Sequence, residues 1–452
     1  MLSLFIVSGA FATNPAPNWQ SLFNGKDLKG WKKLNGNAEY RIEGDAIVGT
    51  SQMNTPNTFL TTEKMYTDFI LEVDLMVDNR LNSGIQIRSN SLDSYRDGRV
   101  HGYQVEIDPS VRAYSGGVYD EARRGWLYPL SRNEKGRKAF RTGEWNTYHI
   151  ECIGNEIRTW INGVMCTNLV DDMTNEGFIA LQVHSIRSEE QNGTEVRWKN
   201  IKILTEGLEE ARWNPDPDVD EVSYLVNKLT EKEKREGWRL LWDGKTSNGW
   251  RGAKLDGFPK SGWEIKDETL TVLATDGGES TGPGDIITTS NFSEFELELE
   301  FNITEGANSG IKYFVDPELN KGAGSAIGLE FQILDDKKHP DAKKGVKGNR
   351  TLGSLYDLIR AENLSAPGRK KTFKGIGNWN KARIVVKGNH VEHWLNDEKV
   401  VSFERGSQIF RALVAYSKYT DWKNFGEFPE GPILLQDHGN TVSFRSIKVR
   451  EF

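Results

Sequence analysis

The sequence predicts an all-β protein built as two tandem β-sandwiches. Three observations carry this. Apolar and polar residues alternate with period two in "FILEVDLMV" (from Phe69), "FELELEFNI" (from Phe295) and "TVSFRSIKV" (from Thr441), the pattern of a strand with one face on a core. Turn signals such as Asn-Gly and Lys-Gly-Asn separate the runs, and nothing between them is long enough for a βαβ crossover. Most tellingly, the chain says nearly everything twice, in the same order.

The repeated blocks define the organisation. "SLFNGKDLKGWKKL" (from Ser21) returns as "LLWDGKTSNGWRGA" (from Leu240), and "LNSGIQIRS" (from Leu81) as "ANSGIKYFV" (from Ala307). "HGYQVEIDP" returns as "IGLEFQILD", "GGVYDEARR" as "GSLYDLIRA", and "GEWNTYHIECIGNEIRTWINGVMC" as "GNWNKARIVVKGNHVEHWLNDEKV". Finally "LQVHSI", around Gln182 and His184, returns as "LQDHGN", around Gln436 and His438. Insertions such as "DKKHPDAKKGVKGNR" and "YTDWKNFGEFPEG" fall in the second copy. The copies span residues 19–205 and 237–452. Between them, residues 206–236 read as a helical linker. Val222, Leu225, Val226 and Leu229 follow helical spacing, and Thr230 with Glu233 forms a capping box for a second short helix that Gly237 ends.

Bulk properties agree. A chain of 452 residues exceeds one ordinary core. The 45 Gly and 10% aromatic content suit short strands and turns. Net charge is −7 without a Lys/Arg-rich block, so no nucleic-acid or anionic-membrane footprint is expected. No run of about 20 apolar residues predicts a membrane span. Residues 1–12 ("MLSLFIVSGAFA") read as a secretory signal peptide with an A-x-A-like end, which predicts export to the periplasm or beyond. Cys152 and Cys166 fall on the outer strands of a predicted three-stranded meander. Two strand spacings exceed disulfide reach, so both thiols are expected free and buried.

Taken together and in order, "LTEKEKREGWRLLWDGKTSNGWRG", "NSGI", "GLEFQILDD", "GSLYD", "GNWN", "WLND" and "LQDHGNTVSFRSIKV" resemble the bacterial 3-keto-disaccharide hydrolase family, also described as 3-keto-glucoside 1,2-lyase/3-keto-2-hydroxyglucal hydratase. The resemblance covers both copies. It implies concanavalin A-like jelly-roll sandwiches with a concave carbohydrate-binding face. It also implies export, a 3-keto sugar glycoside as substrate and a link to a sugar 3-dehydrogenase. The second copy is the closer match. In the first, Gln104 and Glu106 reverse the order of Glu330 and Gln332, which puts equal activity in doubt.

Strand alternation places the candidate residues. Glu330 and Gln332 point away from the core side of Leu329, Phe331 and Ile333. Gln436 and His438 share the face of Leu434, and Lys312 alternates with Ile311 and Tyr313. On one concave sheet, Glu330, His438 and Lys312, with Tyr356 of "GSLYD", would carry catalysis. A base for the C2 hydrogen, a cation for the enolate oxygen and an acid for the leaving oxygen are what 3-keto-glycoside cleavage demands. Gln332, Gln436, Asn308 and Trp422 would bind substrate, with Tyr419 and Phe425 beside Trp422 as aromatic walls. The first-copy set is Gln104, Glu106, Gln86, Arg88, Gln182 and His184. Each has a bland reading: antiparallel sheets keep polar residues on a wet face, and Asn308 with Gly310 is equally a bulge. No cofactor or metal site is expected. Asp335, Asp336 and His339 match no calcium loop and read as a solvated turn.

Two rival functions remain. A retaining glycosidase needs paired carboxylates, for which Glu296, Glu298 and Glu300 offer themselves, although alternation with Leu297 and Leu299 is ordinary for a half-wet strand. A non-catalytic carbohydrate-binding protein fits the duplication through avidity.

Overall fold

The computed structural model describes residues 17–275, 278 and 284–452. The signal-peptide reading of residues 1–12 lies outside them. Each copy folds as a concanavalin A-like jelly-roll sandwich of two antiparallel sheets. Among the described residues, nine strands, one of them from the linker, and seven form the sheets of the first domain, and eight and five those of the second.

Alternation is obeyed where it was read. Phe295, Leu297, Leu299, Phe301 and Ile303 enter the second core, as Phe69, Leu71, Val73, Leu75 and Val77 enter the first. Each such side chain contributes roughly 1.5–3 kcal/mol of burial. The cysteine meander forms as expected. Asn146–Ile153 pairs with Glu156–Ile161, which pairs with Val164–Val170, and both thiols are free and buried. Burial pushes each thiol up to about 12, so neither is a nucleophile at neutral pH.

The linker departs from expectation. Val222 and Ser223 form a strand, not a helix, pairing in parallel with Leu169 and Val170. The exposed edge of Val164–Val170 offers unpaired backbone groups, and satisfying them outweighs the apolar spacing. The capping box does form. Thr230 and Glu233 cap a helix over Glu231–Arg235, and Gly237 follows with φ 84°.

The acidic ladder Glu296, Glu298 and Glu300 also differs from expectation: it is buried, not half-wet. Its counterparts Glu72 and Asp74 remain half-exposed. The linker and the first domain cover the second domain's outer sheet. Arg132 of the first domain reaches Glu298 (3.4 Å), Asp397 (3.2 Å) and the linker's Asp220 (3.0 Å). Lys448 meets Glu298 (3.2 Å) and the capping Glu233. Arg383 and Arg450 hold Glu296, and Arg445 holds Glu300 (2.7 Å). All three acids are thus consumed in ion pairs on the sheet remote from the concave face. They do not form a free glycosidase pair.

Candidate active site

In the second domain, Asn308–Asp316 runs between Ile327–Leu334 and Leu434–Leu435. Its register sets Lys312 opposite Glu330 and Gly310 opposite Gln332. The backbone N–H of Gln436 donates to the Gly310 carbonyl (3.0 Å). Ile311, Phe331, Ile333 and Leu435 enter the core. Alternation therefore projects Lys312, Glu330, Gln332 and Gln436 from the concave face together. Gly310 makes no bend. A Cβ there would stand 2.3 Å from Glu330 Oε1, so its lack of side chain gives the carboxylate its seat. The bulge of this strand lies instead at Phe314, with φ 50°.

The ionisable groups are buried and tied together. Lys312, 4% exposed, donates from Nζ to Ser325 Oγ and to the Ala326 carbonyl (3.1 Å). Glu330 Oε2 lies 3.7 Å from the same ammonium. Ser325 passes its own hydrogen to Asp285 Oδ2 (2.5 Å), and Asp285 accepts the N–H groups of Ala326 (3.2 Å) and Asp437 (2.9 Å). With its amide nitrogen turned toward acceptors, Gln332 donates to Glu330 Oε1 (3.0 Å) and the Ser309 carbonyl (2.9 Å). Burial pushes the Asp437 carboxyl upward, and the Asp285 charge adds to this. Charges this deep persist only when paired and hydrogen-bonded.

At the rim, His438 is half-buried. Its ring meets His339 edge-on, centroids 5.7 Å apart, and its Nδ1 has no hydrogen-bond partner among the described residues. Burial, then the His438 charge, lowers the His339 pKa. Tyr356 donates to Asp341 (2.7 Å), which Arg350 also holds (3.1 Å). Burial, with the Glu330 charge behind it, holds that phenol well above the usual tyrosine range. The aromatic insertion packs on itself. Tyr419 and Phe425 stack at 3.9 Å within the core, and Trp422 lies half-buried against it. The same loop brings Lys418 over the Tyr356 ring (4.3 Å). Asn308 is buried, and its N–H binds Asn440 Oδ1 (3.1 Å).

The first domain repeats the scaffold with other chemistry. Gln86 stands opposite Gln104, and Gly84 opposite Glu106. Gln104 Oε1 accepts from Gln86 (2.6 Å) and Gln182 (2.8 Å), while its amide donates to Glu106 (2.9 Å). Asn82 also donates to Glu106 (2.6 Å). Burial pushes the Glu106 carboxyl up to about 7. His184 is half-buried, its Nδ1 against the Ser185 carbonyl (2.6 Å). Arg88 does not join this face. It occupies the bulge matching Phe314, with φ 43°, and its guanidinium ties down Asp68 and the carbonyls of Thr67 and Gly154. The inserted residue breaks period two, which a count along the strand does not register.

Asp285, Ser325 and Asp341 complete the second site and were not anticipated. Asp285 faces the same sheet position as Phe59 of the first copy, since Trp250 pairs with Thr288 as Trp31 pairs with Thr62. An acid replacing an apolar strand residue between two copies is the signal that would have found it.

A family model described as 3-keto-alpha-glucoside-1,2-lyase-like domain matches residues 18–204 and again 237–450. A 3-keto-disaccharide hydrolase of Bacteroides thetaiotaomicron is 37% identical over 235 residues, covering 48% of this chain and 78% of that protein. A crystal structure from Parabacteroides distasonis, provisionally described as a glycosyl hydrolase, is 31% identical. It covers 50% of this chain and all of its own, with a TM-score of 0.43. A second protein of that description from the same organism is 24% identical over 48% of this chain and 99% of its own, with a TM-score of 0.34. With both halves matched, the chain belongs to the 3-keto-alpha-glucoside-1,2-lyase-like family, in two tandem copies.

Proposed function

We propose that the second domain cleaves 3-keto-glycosides by β-elimination followed by hydration. The observation that carries this is the Lys312–Glu330 pair on the concave face, which the first domain replaces with two glutamines. The 3-keto group acidifies the hydrogen at C2. Glu330 takes that proton, and charge develops on the ketone oxygen facing the Lys312 ammonium. The C1–O bond then breaks. The leaving oxygen takes a proton from His438, whose half-exposed ring follows the Leu434–Leu435 strand beside that of Lys312, and the aglycone departs as an alcohol. Water adding across the C1–C2 double bond of the 2-hydroxyglucal yields the free 3-keto sugar. Tyr356, its hydrogen held by Asp341, acts as a hydrogen-bonding wall rather than as the acid.

The test is turnover of a 3-keto-glucoside by the full chain, watching the 2-hydroxyglucal. Full activity in both Glu330→Gln and His438→Ala would sink the assignment. Retained turnover of an unoxidised glucoside would favour a conventional glycosidase instead. In this reading the protein is exported and a sugar 3-dehydrogenase supplies its substrate. N-terminal sequencing of the mature protein tests the former, and finding residues 1–12 retained would oppose it.

A further inference from the structure

A groove of about 1300 Å³ crosses the concave face of the first domain, larger than the roughly 300–1,000 Å³ of ordinary small-molecule sites. Its floor includes Gln104 and Glu106. One wall is aromatic: Trp126 stands edge-on to Tyr119 (5.3 Å) with the Arg112 guanidinium over it (4.9 Å). A strap, residues 91–100, arches across the sheet. Asn35 on the far edge strand pins it, donating to the Gly98 carbonyl (3.1 Å) and accepting from the Val100 N–H (2.8 Å).

The charge of this groove opposes that of the chain. Seven arginines and four acidic residues line it, in a protein of net charge −7. Four of these arginines are bound to carboxylates, for example Arg112 to Asp108 (2.6 Å) and Arg123 to Asp120 (2.7 Å). Arg96 on the strap, Arg187 beyond the Gln-x-His strand, and Arg369 are exposed. Among the described residues, none of these three makes an ion pair. Arg369 belongs to the second domain, so the groove is completed from outside the domain that builds its floor. Beneath it, Gln182 is fully buried, with an Oε1 that meets no donor among the described residues.

We propose that this groove binds a glycan bearing carboxylate or sulfate groups, held on the aromatic wall and by Arg96, Arg187 and Arg369. Guanidinium forks pair with planar carboxylates and with sulfate oxygens through charge-assisted hydrogen bonds, and three unpaired ones facing one cavity are a site for anions on an extended chain. The proposal is independent of lyase chemistry in the second domain, because its readout is binding and not turnover.

The experiment is isothermal titration of the full chain with four probes of similar length: an oligogalacturonate, a sulfated galactan oligosaccharide, a neutral cello-oligosaccharide and a single-stranded oligonucleotide. At least one charged glycan should bind tenfold or more tighter than the neutral one, and weaken as salt rises. The tighter of the two charged glycans identifies the anion. Arg369→Gln should lose about tenfold, Arg369→Lys less, and the triple Gln variant of Arg96, Arg187 and Arg369 still more. Lys245→Gln, an exposed change in the second domain, should change nothing. Equal binding of neutral and charged glycans overturns the proposal. So does an oligonucleotide that binds as tightly, or an Arg369→Gln variant indistinguishable from Lys245→Gln.

Discussion

At the centre of the first domain's concave sheet stand Gln86, Gln104 and Gln182. At the same three places in the second stand Lys312, Glu330 and Gln436. The backbone is shared, down to the glycine beneath the central side chain and the bulge that follows. The carboxylate, however, sits at the 330 position in one copy and one alternation further along, at Glu106, in the other. Asp285 replaces Phe59. The connecting strap differs in step: in the first domain it is pinned away at Asn35, and in the second it descends so that Ser325 joins Lys312 to Asp285. An amide ladder can lie buried with little charge, even with Gln182 Oε1 meeting no donor among the described residues. A buried Lys–Glu–Asp set cannot, unless each member holds the others. Such a set is weak evidence for stability and better evidence for a site.

The sharpest way to break this comparison is to exchange its centre. Lys312→Gln installs the first domain's residue in the second. Losing a preorganised partner for the developing oxyanion should lower kcat on a 3-keto-glucoside about 10²–10³-fold. The reciprocal Gln86→Lys should gain no activity, since Phe59 and the pinned strap supply neither Asp285 nor Ser325. Single-turnover kinetics with each full-length variant decide it, and normal kcat in Lys312→Gln would remove the basis for assigning chemistry to the second domain. Next in size is the asymmetry of the outer sheets. Arg132→Leu leaves Asp397 and Glu298 short of a buried cation, a loss of about 3–5 kcal/mol. Calorimetry should show the two domains melting separately where the parent melts as one unit.

Much of this was legible before any coordinates. The duplication fixes two sandwiches, and period two in "GLEFQILD" and "NSGIKYF" is enough to put Glu330, Gln332 and Lys312 on one face. What alternation cannot reach is whatever depends on loops and on insertions. Ser325 and Asp341 come from connections whose path no periodicity encodes. Arg88 is misplaced because the bulge shifts phase by one. Val222 keeps helical spacing with Leu225 yet forms a strand with Ser223, because an unpaired strand edge lies alongside. The buried Glu298 is met by Arg132, more than 160 positions earlier on the other domain, a contact that neither copy's own pattern contains.

A smaller effect concerns pH and the first domain's carboxylate. Burial raises Glu106 from an ordinary 4.5 to about 7, so the folded state holds this proton more tightly than the unfolded chain does. Its contribution to stability is complete below about pH 4.5 and is lost as pH climbs through 7, on the order of 3 kcal/mol in all. Glu106→Gln keeps the hydrogen-bonding shape without the titration. Melting curves should show the parent losing stability between pH 4.5 and 7 more steeply than the variant. Parallel pH profiles would mean that Arg112, 3.6 Å away, neutralises the site more effectively than burial charges it.

The smallest expected effect is also the most symmetrical. A Cβ at Gly310 would stand 2.3 Å from Glu330 Oε1, and one at Gly84 would stand 2.4 Å from Gln104 Cδ. In both cases a flexible side-chain end can yield, so Gly310→Ala and Gly84→Ala should each lower stability by about 1–2 kcal/mol through the same crowding. Their functional consequences should part. Displacing Glu330 turns the base from the C2 hydrogen and should lower kcat about tenfold, because a misplaced catalytic group forfeits orientation. Displacing Gln104 should leave turnover unchanged and disturb only what lies in the first domain's groove. Matched melting temperatures with unmatched kcat would show that one glycine seat serves two chemistries, and a Gly84→Ala variant as impaired in turnover as Gly310→Ala would move the catalytic centre to the first domain.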